Sequence, residues 1–208
     1  MMTDDAAEPL LLDTASGPAR AHLHLPSGPP RGWLMLGHGA GGGLQAPDLV
    51  TTTEVALAAG WAVALTEQPY RVAGRRAPAP ARHLDAAWID VAQHLGAGQF
   101  AGLPLIAGGR SSGARVACRT AEHLGAAGVL CLAFPLQPPK DRPSRLPELE
   151  ATGVPTLVVQ GERDRFGMPA PAPGRTVAVV PGDHSLKKDQ GAIATAVGEW
   201  LTVHTPSS

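Results

Sequence analysis

Residues 108–115 read GGRSSGAR and follow an apolar run, LPLIA, at 103–107. The pattern Gly-x-Ser-x-Gly in this stretch is centred on Ser111, between a predicted strand and a predicted helix, which is the setting of a nucleophile elbow. A serine on such a strained turn needs neighbours without side chains two residues away. Ser111 has glycine at both places, whereas Ser112 has an arginine and an alanine. The stretch therefore predicts Ser111 as a nucleophile. A chance glycine-rich turn would give the same string, and a phosphate-binding loop fits less well because no Gly-Lys-Ser/Thr follows.

Strand-like and helical segments alternate along the rest of the chain. Most of the strands are apolar throughout, which predicts an α/β protein with a mainly parallel sheet of about six to seven strands and helices on both faces. In such a sheet, ligands bind at the carboxyl ends of the strands. The predicted strands cover 19–26, 32–39, 61–67, 103–109, 128–135, 155–161 and 176–182, and the predicted helices 48–59, 83–96, 112–125 and 189–203.

Bulk composition limits the classes of function. The chain has 208 residues, 44% of them apolar and 17% charged, as expected of one globular domain spanning 1–208 with its core at about 19–203. A net charge of -1 does not indicate a nucleic-acid partner, and no apolar stretch approaches the roughly 20 residues that cross a membrane. The acidic start, MMTDDAAEP, is unlike a secretory signal. We therefore expect a cytoplasmic monomer or homodimer in which Cys118 and Cys131 are buried and unbonded.

A glycine-rich segment, GHGAGGG at 37–43, follows the second predicted strand. Glycines allow backbone N–H groups to approach a substrate closely, so we expect an oxyanion loop here. The predicted donors are the N–H groups of Ala40, with Gly41 as the alternative, and of Ser112. His38 is interpreted as a residue that braces the loop, because it precedes the nucleophile in the chain. A bare glycine-rich loop remains the alternative.

Two further segments supply an acid and a histidine. VVQGERDRFG at 158–167 places Asp164 and Glu162 just past a strand, and Asp164 is favoured because the chain has cleared the sheet there. His184 follows the last predicted strand in VVPGDHSL. The chain order Ser111, Asp164, His184 matches the order of a catalytic triad whose serine lies on a nucleophile elbow. The alternatives are a solvated charged turn and an ordinary loop histidine.

These residues together predict acyl transfer. His184 would take the proton of Ser111, Asp164 would orient the imidazole, and the backbone donors would hold the developing oxyanion. The chemistry requires no metal and no organic cofactor.

With these motifs in view, the chain resembles the α/β-hydrolase superfamily, on its compact dienelactone-hydrolase-like side. Within it, the chain looks most similar to small hydrolase-like proteins related to a testis-expressed protein and to a subunit of the nonspecific-lethal complex. The resemblance covers roughly 20–203 and is carried by GHGAGGG, QPYRVAGRR, GGRSSGAR, FPLQPP, QGERDRFG and DHSL. It implies a serine hydrolase of the ester-cleaving type. It departs from the family at Arg110, where lysine is common, and just after Ser111, where a methionine and two glycines are common.

The substrate is predicted only in outline. About twenty residues separate Phe134 from Pro155, too few for a cap domain, so a small or exposed ester is expected. We also expect Arg75 or Arg76 to recognise an anionic group, with solvated surface arginines as the alternative, and Tyr70 to line the pocket. A catalytically silent scaffold that binds a partner and transfer to an acceptor other than water stay open as alternative functions.

Overall fold

The computed structural model describes residues 8–139 and 142–204. Residues 1–7, which carry most of the acidic start, lie outside the described residues. The described strands are β1 Leu10–Leu12, β2 Ala19–His24, β3 Trp33–Gly37, β4 Ala62–Glu67, β5 Leu105–Arg110, β6 Gly128–Leu132, β7 Thr156–Gly161 and β8 Arg175–Val180. The described helices are α1 Pro47–Ala58, α2 Pro69–Val72, α3 Ala81–Ala97, α4 Ser112–Thr120, α5 Leu146–Glu150 and α6 Gln190–Val203.

All eight described strands form one sheet in the order β1-β2-β4-β3-β5-β6-β7-β8. β1 and β2 are antiparallel to their neighbours, and every pairing from β4 to β8 is parallel. The carboxyl ends of β3 to β8 therefore share one edge of the sheet. In the central pair, Gly37 of β3 lies opposite Gly109 of β5, so two residues without side chains meet where the strands end.

The helices cover both faces of the sheet. α3 and α4 pack together on one face, and α1 and α6 pack together on the other. Each face has its own cluster of buried side chains, because the continuous apolar strands present side chains to both sides. The predicted mainly parallel sheet with helices on both faces is confirmed.

The sequence-based element list differs from the structure in three places. β1 was not predicted, because three leucines are too few to show an alternating pattern, although they pair with β2 along one edge. α2 and α5 were also missed, since helices of four and five residues are too short to show a period of 3.6. The sheet consequently has eight described strands, one more than the upper end of the predicted range.

The connection between β6 and β7 is short. In the described part of it, residues 133–139 and 142–155, the only regular element is α5. This agrees with the prediction that no cap domain is inserted here.

Both cysteines are buried and free, with their sulfur atoms 3.5 Å apart. The hydrogen bond with Cys118, together with burial, raises the pKa of the Cys131 thiol. Among the described residues, no helix is both long enough and apolar enough to cross a membrane.

The stacking of Phe100 on Trp33 provides a test of packing away from the strand ends. The two ring centroids are 4.8 Å apart, and Phe100 is 1% exposed. Phe100→Ala should lower the free energy of unfolding by about 3–5 kcal/mol, because it leaves a cavity against the Trp33 ring. Urea denaturation measures this change. Leu25→Ala, at a side chain that is 66% exposed, is the control and should change stability by less than about 0.5 kcal/mol. Equal effects of the two variants would contradict this account of the core.

Candidate active site

The turn between β5 and α4 holds Ser111 in a strained conformation. Ser111 has φ 51° and ψ -103°, a backbone region that residues with a side chain rarely adopt. Its N–H donates to the carbonyl of Leu132 on the neighbouring strand at 2.8 Å. The backbone of Ser111 is therefore anchored to the sheet, while its side chain projects at the sheet edge.

The glycines on either side of Ser111 are required by the close approach of β3. A Cβ at Gly113 would lie 2.3 Å from the carbonyl oxygen of Gly37, and one at Gly109 would lie 2.4 Å from the same atom. Gly109 also has φ 153°. No side chain fits at either place. The glycine requirement inferred from the sequence thus has a specific cause, which is the backbone of Gly37.

Ser111, His184 and Asp164 form a continuous hydrogen-bonded chain. His184 Nε2 is 3.0 Å from Ser111 Oγ, and His184 Nδ1 is 2.8 Å from Asp164 Oδ2. A carboxylate can only accept, so Nδ1 carries the proton and Nε2 is left to accept from the serine hydroxyl. Glu162, the other acid considered from the sequence, is exposed and pairs weakly with Arg163 at 3.9 Å.

The Asp164 carboxylate is fully buried and accepts hydrogen bonds from three donors. Besides His184, the backbone N–H of Phe166 donates to Oδ1 at 2.8 Å, and Gln160 Nε2 lies 2.9 Å from Oδ2. Gln160 Nε2 is also 3.0 Å from the carbonyl oxygen of Phe134. Because a buried carboxylate is stable only when it is hydrogen-bonded, these donors fix the acid in one orientation.

The histidine loop lies close against β7. A Cβ at Gly161, the last residue of β7, would be 2.5 Å from the carbonyl oxygen of Asp183. The Phe166 ring contacts the His184 imidazole edge-on, with centroids 4.5 Å apart. Leu186 anchors the loop from below as a fully buried side chain with φ 50°. Packing on several sides therefore positions the imidazole.

The glycine-rich loop is fastened from behind. The Tyr70 hydroxyl donates to the carbonyl of Ala40 at 3.0 Å, and burial raises the pKa of Tyr70, so it remains a donor. His38 Nε2 accepts from the N–H of Gln68, and His38 Nδ1 donates to the carbonyl of Gly39 at 2.9 Å. Burial lowers the pKa of His38, which favours this neutral form. His38 thus lies within the loop, with both of its ring nitrogens engaged by backbone groups.

A cavity of about 640 Å³ opens beside Ser111. Arg165 and Lys187 contribute cationic side chains to its wall, in addition to Arg110, and none of the aspartates and glutamates that the structure describes lines it. Its other lining residues are Ala40, Gly41, Gly42, Gly43, Gln45, Ala46, Pro47, Arg110, Phe166, His184 and Ser185.

The predicted substrate arginines lie elsewhere. Arg75 lines a separate cavity of about 600 Å³ together with Tyr70 and a proline-rich segment at 77–80. Arg76 is exposed and lines neither of these two cavities. The structure therefore brings Ala40, Gly41 and the three triad candidates together, and it does not bring Arg75 or Arg76 to them.

A family model described as an alpha/beta hydrolase domain matches residues 30–203. The chain belongs to this α/β-hydrolase family. The match covers β3 to α6, and so includes every strand end that carries a candidate site residue. No curated protein sequence matches this α/β-hydrolase significantly.

Solved structures share the fold of this α/β-hydrolase at low sequence identity. A lidless α/β serine hydrolase from Xanthomonas campestris has a TM-score of 0.79 and 19% identity, covering 100% of this chain and 99% of that one. Est1E from Butyrivibrio proteoclasticus has a TM-score of 0.77 and 13% identity, covering 95% and 99%. A dienelactone hydrolase from Anabaena variabilis has a TM-score of 0.71 and 17% identity, covering 95% and 99%.

Sequence reasoning missed several residues of the site in this α/β-hydrolase. Gln160 was detectable as the one amide in the apolar strand TLVVQG, and Phe166 as an aromatic two residues after the acid. Asp48 and Arg110 are far apart in sequence, and only the structure shows that they pair. Among the described residues, no group of three His, Cys, Asp or Glu side chains is arranged to hold a metal ion.

The contact at Gly113 generates a test in which two helical glycines should respond oppositely. Gly113→Ala places a methyl group 2.3 Å from a backbone oxygen and should destabilise the protein by about 1–3 kcal/mol or more. Gly96→Ala in α3 meets only an ordinary contact at 3.8 Å and should stabilise by about 0.5–1 kcal/mol, as alanine does in a helix. Thermal or urea denaturation gives both values. If Gly113→Ala were neutral or stabilising, the close approach of β3 would be wrong.

Proposed function

We propose that this α/β-hydrolase is a serine hydrolase that cleaves an ester or a related acyl bond through an acyl-enzyme on Ser111. The observation that carries the proposal is the hydrogen-bonded chain from Ser111 Oγ to His184, at 3.0 Å, and from His184 to the buried Asp164, at 2.8 Å. The order of the three groups, hydroxyl to imidazole to carboxylate, is the one that base-assisted attack by a hydroxyl requires, and this supports the proposal.

The reaction would proceed in two halves. His184 Nε2 accepts the proton of Ser111 as Oγ attacks the acyl carbon, and the same proton then passes to the leaving alcohol as the acyl-enzyme forms. Water, deprotonated by His184, attacks the acyl-enzyme in the second half and releases the acid. Asp164 keeps the imidazole in the required tautomer and stabilises its charged form.

The oxyanion would be held by the N–H groups of Ala40 and Ser112. Ser112 is the first residue of α4, so its N–H has no acceptor within the helix and lies at the positive end of the helix dipole. The hydrogen bonds from Tyr70 and His38 to the carbonyls of the glycine-rich loop support a fixed orientation of the Ala40 peptide. Loss of one such donor typically costs about 3 kcal/mol of barrier lowering.

We propose that the substrate is small, or presents an exposed ester. The cavity beside Ser111 is walled by the glycine-rich loop, Phe166 and the histidine loop. The described part of the connection from β6 to β7 contributes one five-residue helix rather than a cap. A long acyl chain would therefore have no enclosed apolar tunnel, whereas a short one would be bound within the cavity.

The nucleophile is tested by covalent labelling. A fluorophosphonate probe should label the wild-type protein and should not label Ser111→Ala, because the probe reacts with an activated serine hydroxyl. Hydrolysis of p-nitrophenyl acetate should fall at least about 10⁴-fold in the same variant. Intact-mass spectrometry and initial rates give the two readouts.

Two serine variants serve as controls for this labelling. Ser112→Ala should still be labelled, because its proposed contribution is a backbone N–H. Ser27→Ala, at an exposed serine in a loop, should behave as wild type. No labelling of well-folded wild-type protein would reject the hydrolase proposal and favour the catalytically silent scaffold.

Anion recognition is better supported for Arg165 than for Arg75 or Arg76. The guanidinium of Arg165 lies 4.8 Å from the centre of the Phe166 ring, beside the cavity. Arg165→Ala should reduce kcat/KM for a carboxylate-bearing p-nitrophenyl ester severalfold more than for p-nitrophenyl acetate, and this preference should weaken at high salt. Arg75→Ala and Arg76→Ala should change both substrates equally. A selective loss in Arg75→Ala or Arg76→Ala instead would restore the assignment made from sequence.

A further inference from the structure

Arg110 occupies the position directly before the candidate nucleophile, and its side chain is mostly buried. It is the last residue of β5, and 16% of its side chain is exposed. Its Nε lies 3.0 Å from Oδ2 of Asp48, a carboxylate in the first turn of α1 that is completely buried. The catalytic scheme proposed above uses neither charge, although both lie next to the serine that it does use.

The Asp48 carboxylate fixes one side of the guanidinium. Oδ1 of Asp48 accepts from the N–H of Leu49 at 3.1 Å, so the carboxylate is itself held by the helix. Burial raises the pKa of Asp48, and the positive charge of Arg110 acts in the opposite direction. A buried carboxylate keeps a nearby cation tightly, because separating the two would leave an uncompensated charge. The Arg110 side chain therefore has little freedom to rotate.

The other side of the guanidinium contacts the two loops that carry the proposed chemistry. Arg110 Nη2 donates to the carbonyl oxygen of His184 at 2.9 Å. Arg110 Nη1 packs against Gly39 of the glycine-rich loop so closely that a Cβ there would lie 2.9 Å from it. One planar group thus contacts α1, the glycine-rich loop and the histidine loop, while its own backbone continues into Ser111.

We propose that Arg110 is a positioning residue that fixes the backbone of His184 relative to Ser111. The imidazole is held at one end by Asp164, and the carbonyl of the same residue is held at the other end by Arg110. Because Arg110 is covalently joined to Ser111, its bond to His184 ties the base directly to the nucleophile. This proposal rests on the hydrolase function proposed above.

In this chain, Arg110 makes its two polar contacts through two different nitrogens. The guanidinium keeps Nε 3.0 Å from the Asp48 carboxylate while Nη2 donates to His184, whereas a lysine ammonium offers a single nitrogen that can occupy only one of these places well. Arg110→Lys should therefore keep the charge beside Asp48 and lose part of the hold on His184. Its activity should fall between those of the wild type and Arg110→Met.

The first test separates positioning from folding through kinetics. In Arg110→Met, kcat for p-nitrophenyl acetate should fall about 10- to 100-fold and KM should change much less, because a displaced base slows the chemical step, whereas Arg110 is only one of many residues that line the cavity. Arg119→Met is the matched control. Arg119 is likewise a mostly buried arginine, but it lies on α4 and forms ion pairs with Asp85 and Glu148 away from the cavity. Its loss should affect stability and leave kcat near the wild-type value.

A double variant separates the loss of positioning from a loss of stability. Arg110→Met leaves the buried Asp48 carboxylate without its cation, so Asp48→Asn/Arg110→Met removes that charge and should restore stability without restoring kcat. If the double variant recovers wild-type kcat, or if Arg110→Met lowers kcat no more than Arg119→Met does, Arg110 does not position the base.

A second readout needs no turnover. The proton between His184 Nδ1 and Asp164 should give a far-downfield ¹H NMR signal, which disappears in His184→Gln. The signal should shift or broaden in Arg110→Met and stay unchanged in Arg119→Met. An unchanged signal in Arg110→Met would overturn the proposal. Because this signal does not depend on turnover, it tests positioning separately from the labelling experiment, which tests the hydrolase function.

Discussion

The close approach of β3 to the turn between β5 and α4 is the constraint on which the rest of the site depends. Gly109 and Gly113 lie so near the backbone of Gly37 that neither could be replaced without moving a strand or a helix. At that contact α4 begins at the sheet edge, and Ser111 has a φ of 51° in the turn between the two glycines. The local strain is compensated by the buried strands and helices on both sides, as is common where a fold holds a functional side chain.

Two buried carboxylates are linked to His184, Asp164 directly and Asp48 through Arg110. Asp164 accepts a hydrogen bond from the His184 imidazole. Gln160 and the Phe166 N–H supply the other hydrogen bonds to the Asp164 carboxylate. Asp48 acts at a distance, through the guanidinium of Arg110. A buried negative charge must be matched by donors and cations. Burial is therefore the reason that the groups around the histidine have so few alternative arrangements.

The sequence predicted those parts of the fold that show a periodic pattern of apolar residues or a short motif. Seven strands and the four long helices follow from apolar runs and helical spacing, and the three triad candidates follow from glycine spacing and chain order. β1, α2 and α5 could not be found, because segments of three to five residues carry no measurable period.

Contacts between segments far apart in the chain were the other feature that the sequence did not predict. Arg110 precedes Ser111 in the chain, yet only the folded structure shows that its side chain pairs with Asp48 and donates to His184. Likewise, only the structure shows that Arg75 lines another cavity. The same holds for Asp48, which reads as an ordinary acid in the first turn of a helix. Charged side chains are placed by long-range pairing, which a single sequence does not display.

The hydrogen bond from Tyr70 to Ala40 connects the glycine-rich loop to a part of the surface that no reacting group touches. Tyr70 belongs to α2, and its other side faces the proline-rich wall of the second cavity. A substitution along 75–80 that moved the Tyr70 ring would therefore reach the Ala40 carbonyl without changing any side chain around Ser111. Residues remote from Ser111 can in this way influence the backbone geometry of the loop beside it.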